Sequence, residues 1–280
     1  MYEAYWKLKE KPFKNTADPR FLCSFPQHSD ALMKLTYTVR ENMGAAMLTG
    51  VFGCGKTFIA RTLLSSLSEN RYSFAYLNYP PVSGAELLRA VVRTLKYSEL
   101  PEKKTELLED ALLESLQALL LDDVREGKEA VIVIDEAHSI EDERIFEKIR
   151  LLLNFQTESR FLLSLILVGQ PELAGKVANM RQLEQRIAVK CHLESLTEEE
   201  TRDYVTRRLE VAGRKDPIFP DDVLNMIHQA TGGIPRRINH ICDACLMTGF
   251  ARKKDLIDEE TFRESGKIFG STVFTTNKSQ

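Results

Sequence analysis

The chain has 280 residues, of which 38 are basic and 41 acidic, so its formal net charge is −3, and 43% of its residues are hydrophobic. Plentiful apolar residues and a small net charge exclude intrinsic disorder over most of the chain. The longest apolar runs, such as residues 161–169, fall far short of the roughly 20 residues of a membrane-spanning helix, so we expect no direct membrane insertion. The charged N-terminal sequence MYEAYWKLKE lacks the apolar run of a signal peptide, which predicts a cytoplasmic location.

The cysteines are odd in number and scattered along the chain, at Cys23, Cys54, Cys191, Cys242 and Cys245. This pattern is typical of reduced thiols and argues against a disulfide framework. The Cys-x-x-Cys at positions 242 and 245 lies in a helical pattern without a second pair, so we interpret it as two buried small residues and assign no metal there.

Short β-rich runs alternate with longer helical patterns in the first two thirds of the chain. The runs cover residues 45–49, 73–78, 130–135, 163–169 and 187–193. This alternation predicts an α/β fold, a parallel sheet covered by helices. Residues 105–126 have leucines at helical spacing and are followed by Gly127, which predicts an amphipathic helix packed on the sheet.

The last third of the chain has no strand-like run and is predicted to be helical. Thr197 and Glu200 form the pattern of a capping box that opens a helix. A second helix is expected to end at Gly232, and Pro235 is placed to open a third. We therefore place a domain boundary near residue 195.

A phosphate-binding loop is predicted at residues 50–57, GVFGCGKT, between an apolar run and a helical run. Its glycines allow successive backbone N–H groups to surround phosphates, and the following helix N-terminus favours negative charge. Lys56 is expected to reach the outer phosphates, and Thr57 to give a hydroxyl to Mg²⁺. The predicted nucleotide-binding residues are Gly50, Gly53, Cys54, Gly55, Lys56, Thr57, Phe58 and Asp135.

Two carboxylates follow the apolar run 130–134, which is expected to be a central strand. They emerge at the carboxyl end of the strand, where open α/β sheets bind ligands. Asp135 is expected to join Thr57 in the Mg²⁺ site and Glu136 to polarise the attacking water. His138 is interpreted as a hydrogen-bonded neighbour of this site.

These motifs, with the sequence GIPRRIN at 233–239, resemble the AAA+ ATPases. More narrowly, the chain resembles the ExeA/GspA-type ATPases of general secretion, pilus and exopolysaccharide export, and more distantly the TnsC, TniB and MuB transposition ATPases. The narrower resemblance is carried by WKLKEKPF at 6–13, ADPRFL at 17–22, Gln27 with His28, VGQPEL at 168–173 and LEQRI at 183–187. It covers roughly residues 1–268.

The resemblance implies an AAA+ P-loop core with a five-stranded parallel sheet in the order 5-1-4-3-2, followed by a C-terminal helical lid. Residues 1–40 would form an N-terminal segment that packs on the core, which spans 41–195. The lid would span 196–269, and 270–280 would be a flexible tail. The family's longest members carry a transmembrane segment and a peptidoglycan-binding domain after the lid, where this sequence ends, so we expect no direct cell-wall role.

The resemblance also implies roles for polar residues outside the two main motifs. Gln170 would be sensor 1, which aligns the water and the terminal phosphate. Asn78 is either a polar switch that holds Glu136 away from water until assembly or a strand-end cap. Residues 17–21 would lie against the adenine, although their aromatic side chains are equally compatible with a core.

Arginines are implied in two further roles. Arg236 resembles sensor 2, which would approach the γ-phosphate from the lid. Arg186 resembles the arginine finger that reaches the nucleotide of a neighbouring subunit, with Arg181 as the alternative.

Three functions remain open at this point. The first is an oligomeric, assembly-dependent ATPase that uses ATP and Mg²⁺, forms a ring or filament and acts on a protein partner of a secretion or pilus system, reaching the inner membrane only through that partner. The second, less favoured, is a transposition regulator that forms ATP-dependent filaments on DNA. Its candidate phosphate contacts are Arg202, Arg207, Arg208, Arg214, Lys215, Arg252, Lys253 and Lys254. The third is a nucleotide switch with little hydrolysis.

Overall fold

A computed structural model describes residues 1–16, 18–21, 23, 25–96, 109–158 and 160–268. The chain divides into two compact units. The core unit comprises Pro26–Val51 and Lys56–Leu193, and the helical unit comprises Met1–Phe25, Phe52–Gly55 and Glu194–Gln280. Within the described ranges, no helix is long and apolar enough to cross a membrane.

The core unit is built on a five-stranded parallel sheet. Its strands are β1 (Ala45–Gly50), β2 (Tyr72–Leu77), β3 (Glu129–Ile134), β4 (Leu163–Gly169) and β5 (Ile187–Leu193). They lie in the order β2-β3-β4-β1-β5, and every neighbouring pair is parallel. The predicted α/β class and strand order are therefore confirmed.

The burial of the residues in each strand matches the position of that strand in the sheet. All residues of β1 and β4, and all but the first of β3, are buried, whereas β5 at the sheet edge alternates between buried and more exposed positions. Strands with continuous apolar sequences are suited to the middle of a parallel sheet, because helices cover both of its faces.

Seven helices belong to the core unit within the described residues. They are α1 (Pro26–Arg40), α2 (Lys56–Ser66), α3 (Gly84–Lys96), α4 (Glu109–Arg125), α5 (Glu143–Leu152), α6 (Glu172–Ala178) and α7 (Arg181–Glu184). The amphipathic helix predicted over 105–126 corresponds to α4, and residues 105–108 lie outside the described part of the chain. Leu112, Leu116 and Leu120 are buried at intervals of four, as one apolar helix face requires.

The described part of the helical unit contains α8 (Glu198–Val211), α9 (Asp221–Thr231), α10 (Pro235–Ala251) and α11 (Glu259–Ile268). Thr197 and Glu200 form the predicted capping box of α8. Gly232 ends α9 in the left-handed conformation, and Pro235 opens α10. The predicted tail over 270–280 lies outside the described residues.

Gly233 occupies a position that excludes any side chain. Its φ is +70°, and a Cβ built on it would lie 1.9 Å from the carbonyl oxygen of Leu196. Leu196 N–H donates to the carbonyl of Gly233 at 2.9 Å, so the two backbones are held together at this point. The requirement for glycine is therefore both conformational and steric.

Residues 1–40, which the resemblance implies to be an N-terminal segment that packs on the core, belong partly to each unit. Helix α1 packs against β5 and α2 of the core unit. Residues before it belong to the helical unit, where Tyr2, Trp6 and Phe13 are buried in its apolar cluster. The physical reason is that these large aromatic side chains remove more apolar surface from water inside this cluster than they would on the surface of the core unit.

A buried arginine fastens this N-terminal segment within the helical unit. Arg208 of α8 donates to the carbonyls of Pro12 at 2.5 Å and Lys14 at 2.8 Å, and to the hydroxyl oxygen of Tyr204 at 2.7 Å. Its guanidinium also lies 4.8 Å from the ring centre of Phe21, which is itself buried. Of the alternatives for residues 17–21, Phe21 is thus a core residue, whereas Ala17 lies outside the described residues.

Candidate nucleotide-binding site

The lysine of the phosphate-loop motif is buried at the start of α2. Lys56 donates from Nζ to the carbonyl oxygens of Gly50 at 2.8 Å and Val51 at 2.9 Å. Gly53 and Gly55 adopt φ values of +87° and +105°, which residues other than glycine rarely adopt. The loop therefore has a glycine-dependent backbone, and the Lys56 ammonium group is bound to carbonyls of the loop itself, while its predicted contact with the outer phosphates stays a prediction.

Arg236 contacts the loop segment Phe52–Gly55, which belongs to the helical unit as Arg236 does. The backbone N–H of Arg236, near the start of α10, donates to the carbonyl of Gly53 at 3.3 Å. Its guanidinium carbon lies 4.8 Å from the ring centre of Phe52, an arrangement that attracts a cation to an aromatic face. The structure thus places Arg236 beside Phe52 and Gly53, while its sensor role stays a prediction.

Asp135 and Thr57, which are both predicted to belong to a Mg²⁺ site, are in direct contact. Asp135 directly follows β3 and is buried, and its Oδ2 accepts a hydrogen bond from the hydroxyl of Thr57 at 2.8 Å. Its Oδ1 accepts from the backbone N–H of Glu136 at 2.9 Å. A hydroxyl and a carboxylate are oxygen ligands that suit Mg²⁺, so these residues fit the predicted metal site.

Tyr76 also belongs to this site, although the sequence analysis did not identify it. Its hydroxyl donates to Oδ2 of Asp135 at 2.6 Å, and its ring centre lies 5.7 Å from the guanidinium carbon of Arg61. Burial and this hydrogen bond both raise the pKa of the Tyr76 phenol above its usual value. Tyr76 pairs with Val133, two residues before Asp135, in the neighbouring strand of the sheet. A tyrosine near the end of the predicted strand beside Asp135 was therefore the signal that could have identified it.

Glu136, His138 and Gln170 form a second polar group. Glu136 has left-handed backbone angles, φ 55° and ψ 28°, and a partly exposed side chain. Gln170, which follows β4, donates from Nε2 to Nε2 of His138 at 2.8 Å. Nδ1 of the same imidazole lies 3.6 Å from Oε2 of Glu136. The predicted water-activating residue, the predicted sensor and the predicted hydrogen-bonded histidine are therefore adjacent.

The remaining predicted site residues differ in how far they are buried. Cys54, which belongs to the helical unit, is buried, and Phe58 of α2 is partly buried. Asn78 follows β2 and is exposed. Among the described residues, no hydrogen bond joins it to Glu136, so its predicted role as a switch gains no contact in this structure.

The two candidate finger arginines differ in their surroundings. Arg186 donates from Nη1 to the carbonyl of Leu153 at 3.1 Å and from Nη2 to Oδ1 of Asn154 at 3.1 Å. Both acceptors directly follow α5. Arg181 opens α7 and is exposed. The Arg186 guanidinium is thus hydrogen-bonded within its own chain, whereas the Arg181 side chain is exposed on the surface.

Most of the basic residues proposed as DNA contacts interact within the helical unit. Arg208 is buried, and Arg214 donates to the carbonyl of Trp6 at 2.9 Å. Four more form ion pairs with carboxylates, namely Arg202 with Glu198 and Asp221, Arg207 with Glu210, Arg252 with Glu260 and Glu264, and Lys254 with Asp258 and Glu260. These ion pairs reduce the positive charge available to a nucleic acid.

Comparison with known proteins adds sequence similarity to this geometry. A family model described as an AAA domain matches residues 39–177. General secretion pathway protein A from Aeromonas hydrophila is 37% identical over 254 residues, which cover 90% of this chain and 45% of that protein. The chain therefore spans less than half the length of this relative.

Solved structures share the fold at low sequence identity. The ORC2 protein of Aeropyrum pernix, in ADPNP-ADP complexes, has a TM-score of 0.69 and 19% identity, and the match covers 92% of this chain and 71% of that one. Cdc6p of Pyrobaculum aerophilum has a TM-score of 0.69 and 22% identity, covering 90% and 70%. The RuvB Holliday junction branch migration motor of Thermotoga maritima has a TM-score of 0.55 and 15% identity, covering 89% and 72%. At these identities, the likeness shows a common fold.

Proposed function

We propose that this chain, which belongs to the AAA family of P-loop domains, binds ATP with Mg²⁺ and hydrolyses the γ-phosphate bond. The observation that carries the proposal is the hydrogen bond between Thr57 and Asp135 beside the buried Lys56. It joins the phosphate-binding loop, which follows β1, to the acidic end of β3, the strand on the other side of β4, as phosphoryl-transfer sites of this type require.

Each group of this site has a distinct task in binding. The backbone N–H groups around Gly53 and Gly55 surround the phosphates, and Lys56 exchanges its carbonyl partners for the outer phosphate oxygens. Thr57 and Asp135 would hold Mg²⁺, which would neutralise the charge of the phosphates. Tyr76 orients the Asp135 carboxylate through the hydroxyl that it donates to Oδ2.

Hydrolysis depends on the second polar group. Glu136 polarises the attacking water, and its carboxylate is partly exposed and hence accessible to water. Gln170 aligns the water and the terminal phosphate. Completion of the site by an arginine from another copy of the chain makes hydrolysis depend on assembly into a ring or filament.

For the arginine supplied by a neighbouring subunit, we reverse the order of preference that the family resemblance implied. Arg181 is exposed and able to reach another molecule, whereas the Arg186 guanidinium is bound to Leu153 and Asn154 of its own chain. We therefore propose Arg181 as the first candidate and Arg186 as the second.

The similarity to General secretion pathway protein A supports a role in an export, secretion or pilus-type system, where a protein partner receives the output of hydrolysis. DNA filament formation is the less supported function, because four of its proposed contact residues have carboxylate partners and Arg208 is buried.

Nucleotide binding and steady-state hydrolysis, measured across protein concentration with and without duplex DNA, test the proposal. We expect Lys56→Ala to weaken ATP binding by roughly 100-fold, since a charge-assisted contact to phosphate is lost. Glu136→Gln is expected to retain ATP and to lose at least about 100-fold in turnover. Glu141→Gln, which changes a carboxylate outside this polar group, is the control.

Turnover per subunit is expected to rise with protein concentration and to be indifferent to DNA. Full turnover by Glu136→Gln would overturn the assignment of the base. Strong stimulation by DNA that fades as salt rises would favour the transposition-type function instead.

A further inference from the structure

The imidazole of His138 lies between the two residues on which hydrolysis depends, and its hydrogen positions follow from its partners. The side-chain nitrogen of Gln170 carries only donors, so Nε2 of His138 accepts its hydrogen bond at 2.8 Å. The hydroxyl of Ser139, 3.3 Å from the same nitrogen, is compatible with this assignment because it also donates. A neutral ring then carries its hydrogen on Nδ1.

That hydrogen points to a site with no partner at full hydrogen-bond distance. Nδ1 of His138 is buried and makes no hydrogen bond within the described ranges of the chain, and Oε2 of Glu136 lies 3.6 Å away. Because a buried unpaired donor is unfavourable, closure of this gap by less than about 1 Å stabilises the pair. The Glu136 side chain is 37% exposed and so has room to make this movement.

The histidine itself is fixed from the opposite side. Lys176 of α6 donates from Nζ to the carbonyls of His138 at 2.6 Å and Ile140 at 2.7 Å. The backbone nitrogen of His138 also approaches Gly169, whose Cβ, if present, would lie 3.1 Å from it. The backbone of His138 is therefore fixed beside the end of β4, and its ring is held by Gln170, so Glu136 is the movable partner.

We propose that His138 is a positioning residue that couples Gln170 to Glu136 and holds the Glu136 carboxylate in the orientation that polarises water. This inference rests on the proposed ATPase function. This role differs from the switch that the family resemblance implied for Asn78, which would hold Glu136 away from water until assembly. The coupling acts on the hydrolysis step, so the turnover number depends on it while ATP affinity does not.

Two conservative substitutions separate the two halves of this link. His138→Asn keeps an amide donor near the position of Nδ1 and hence the contact with Glu136, but it loses the contact with Gln170. His138→Gln places its amide near the position of Nε2, so it keeps an acceptor for Gln170 and loses the donor toward Glu136. Glu141→Gln alters an exposed side chain outside this polar group and serves as the control.

The experiment measures kcat and KM for ATP hydrolysis, and ATP binding separately, in these variants of the full chain under assembling conditions. We expect His138→Gln to lower kcat by roughly 10- to 100-fold, the usual effect of removing a residue that orients a catalytic group. His138→Asn is expected to stay within about 3-fold of the wild-type kcat. Glu141→Gln should match the wild type, and ATP binding should change less than about 2-fold in all three variants.

A wild-type kcat in His138→Gln would overturn this inference while leaving the proposed function intact. Equal losses in both His138 variants, accompanied by weaker ATP binding, would also overturn it, because they would show a structural role for the ring. A wild-type protein that binds ATP without turnover would overturn the proposed function, and this inference with it.

Discussion

The core unit and the helical unit are stabilised by different kinds of interior. The buried cluster of the core unit is mainly aliphatic, and β1, β3 and β4 contribute almost unbroken apolar runs to it. The cluster of the helical unit contains large aromatic residues, namely Tyr2, Trp6, Phe13, Phe25, Tyr204, Phe219 and Phe262. Its interior also includes buried polar groups, such as Arg208 and Asn239.

The difference shows which kind of interior tolerates change. An aliphatic sheet core is stabilised by buried area, which depends weakly on the exact partner of each side chain. The helical unit depends on particular hydrogen bonds, including those from Trp6 Nε1 to the carbonyl of Leu246 at 2.9 Å and from Asn239 Nδ2 to Oδ1 of Asn15 at 2.8 Å. Buried polar groups are unfavourable when one partner is removed. Substitutions that remove single donors should therefore affect the helical unit more than their change in volume suggests.

The largest effect is expected at the backbone contact of the helical unit. Gly233→Ala should lower the free energy of unfolding by more than about 3 kcal/mol, since its Cβ would overlap the carbonyl oxygen of Leu196 at a positive φ. Gly232→Ala is the matched control, because its φ is +61° but no atom lies within 4 Å of a Cβ there, so a loss of about 1 kcal/mol is expected. Urea denaturation followed by the fluorescence of Trp6, the one tryptophan of the chain, measures both. Equal effects of the two substitutions would disprove the steric explanation.

A slightly smaller effect is expected from a cavity in the core unit. Leu165→Ala in β4 removes a fully buried side chain and should cost about 3 kcal/mol. Met33→Ala on α1, where the side chain is 62% exposed, should change the free energy of unfolding by less than about 0.5 kcal/mol. Urea denaturation followed by far-UV circular dichroism distinguishes them. A loss below about 1 kcal/mol for Leu165→Ala would show that the aliphatic core repacks around cavities.

The polar interior is tested by removing the charge of Arg208 while keeping most of its volume. Arg208→Met should cost about 2 kcal/mol, because the carbonyls of Pro12 and Lys14 lose their donors. Arg207→Met changes an exposed neighbour on the same helix and should be nearly neutral. Trp6 fluorescence in urea is again the measurement. An Arg208→Met protein as stable as the wild type would remove the contrast between the two interiors.

The smallest effect concerns Asp258, at the start of α11. Hydrogen bonds from Lys254, which has the largest effect, and from Thr261 lower the pKa of its carboxyl below the usual value. The carboxyl group therefore stabilises the fold fully above the unfolded pKa, about 3.9, and this contribution is lost as the pH falls toward the folded pKa. Because the group is about half exposed, the effect should not exceed about 0.5 kcal/mol.

Comparison of Asp258→Asn with the wild type in urea tests this pH dependence. The difference between them should be constant from pH 7 to pH 5 and smaller at pH 3. A difference that is independent of pH over this range would rule out the ionised carboxyl as its cause.

The features that were predictable from the sequence depend on local pattern. The five apolar runs identified the strands, and the glycine-rich loop placed Lys56 and Thr57 at the start of a helix. The contact between Thr57 and Asp135 followed because both lie at the carboxyl edge of the sheet. The catalytic roles of Glu136, Gln170 and Arg236 stay predictions.

The features that the sequence did not reveal depend on contacts between distant side chains. Tyr76 reaches Asp135 from a neighbouring strand, and Arg186 is bound to residues 32 and 33 positions before it. No periodicity encodes such pairs, because they depend on strand register and side-chain direction. Likewise, the aromatic residues near the N-terminus predicted burial without indicating which apolar cluster would receive them.

The buried cysteines give each unit its own chemical reporter. Cys191 lies in the core unit, and Cys242 and Cys245 lie in the helical unit, all with buried side chains. Burial raises the pKa of all three thiols, that of Cys245 to about 12, so the reactive thiolate is scarce in the folded chain. Alkylation by iodoacetamide at neutral pH would therefore proceed only as fast as each unit opens. Mass spectrometry of the labelled peptides would then time the opening of the two interiors separately, in one sample and without any engineered probe.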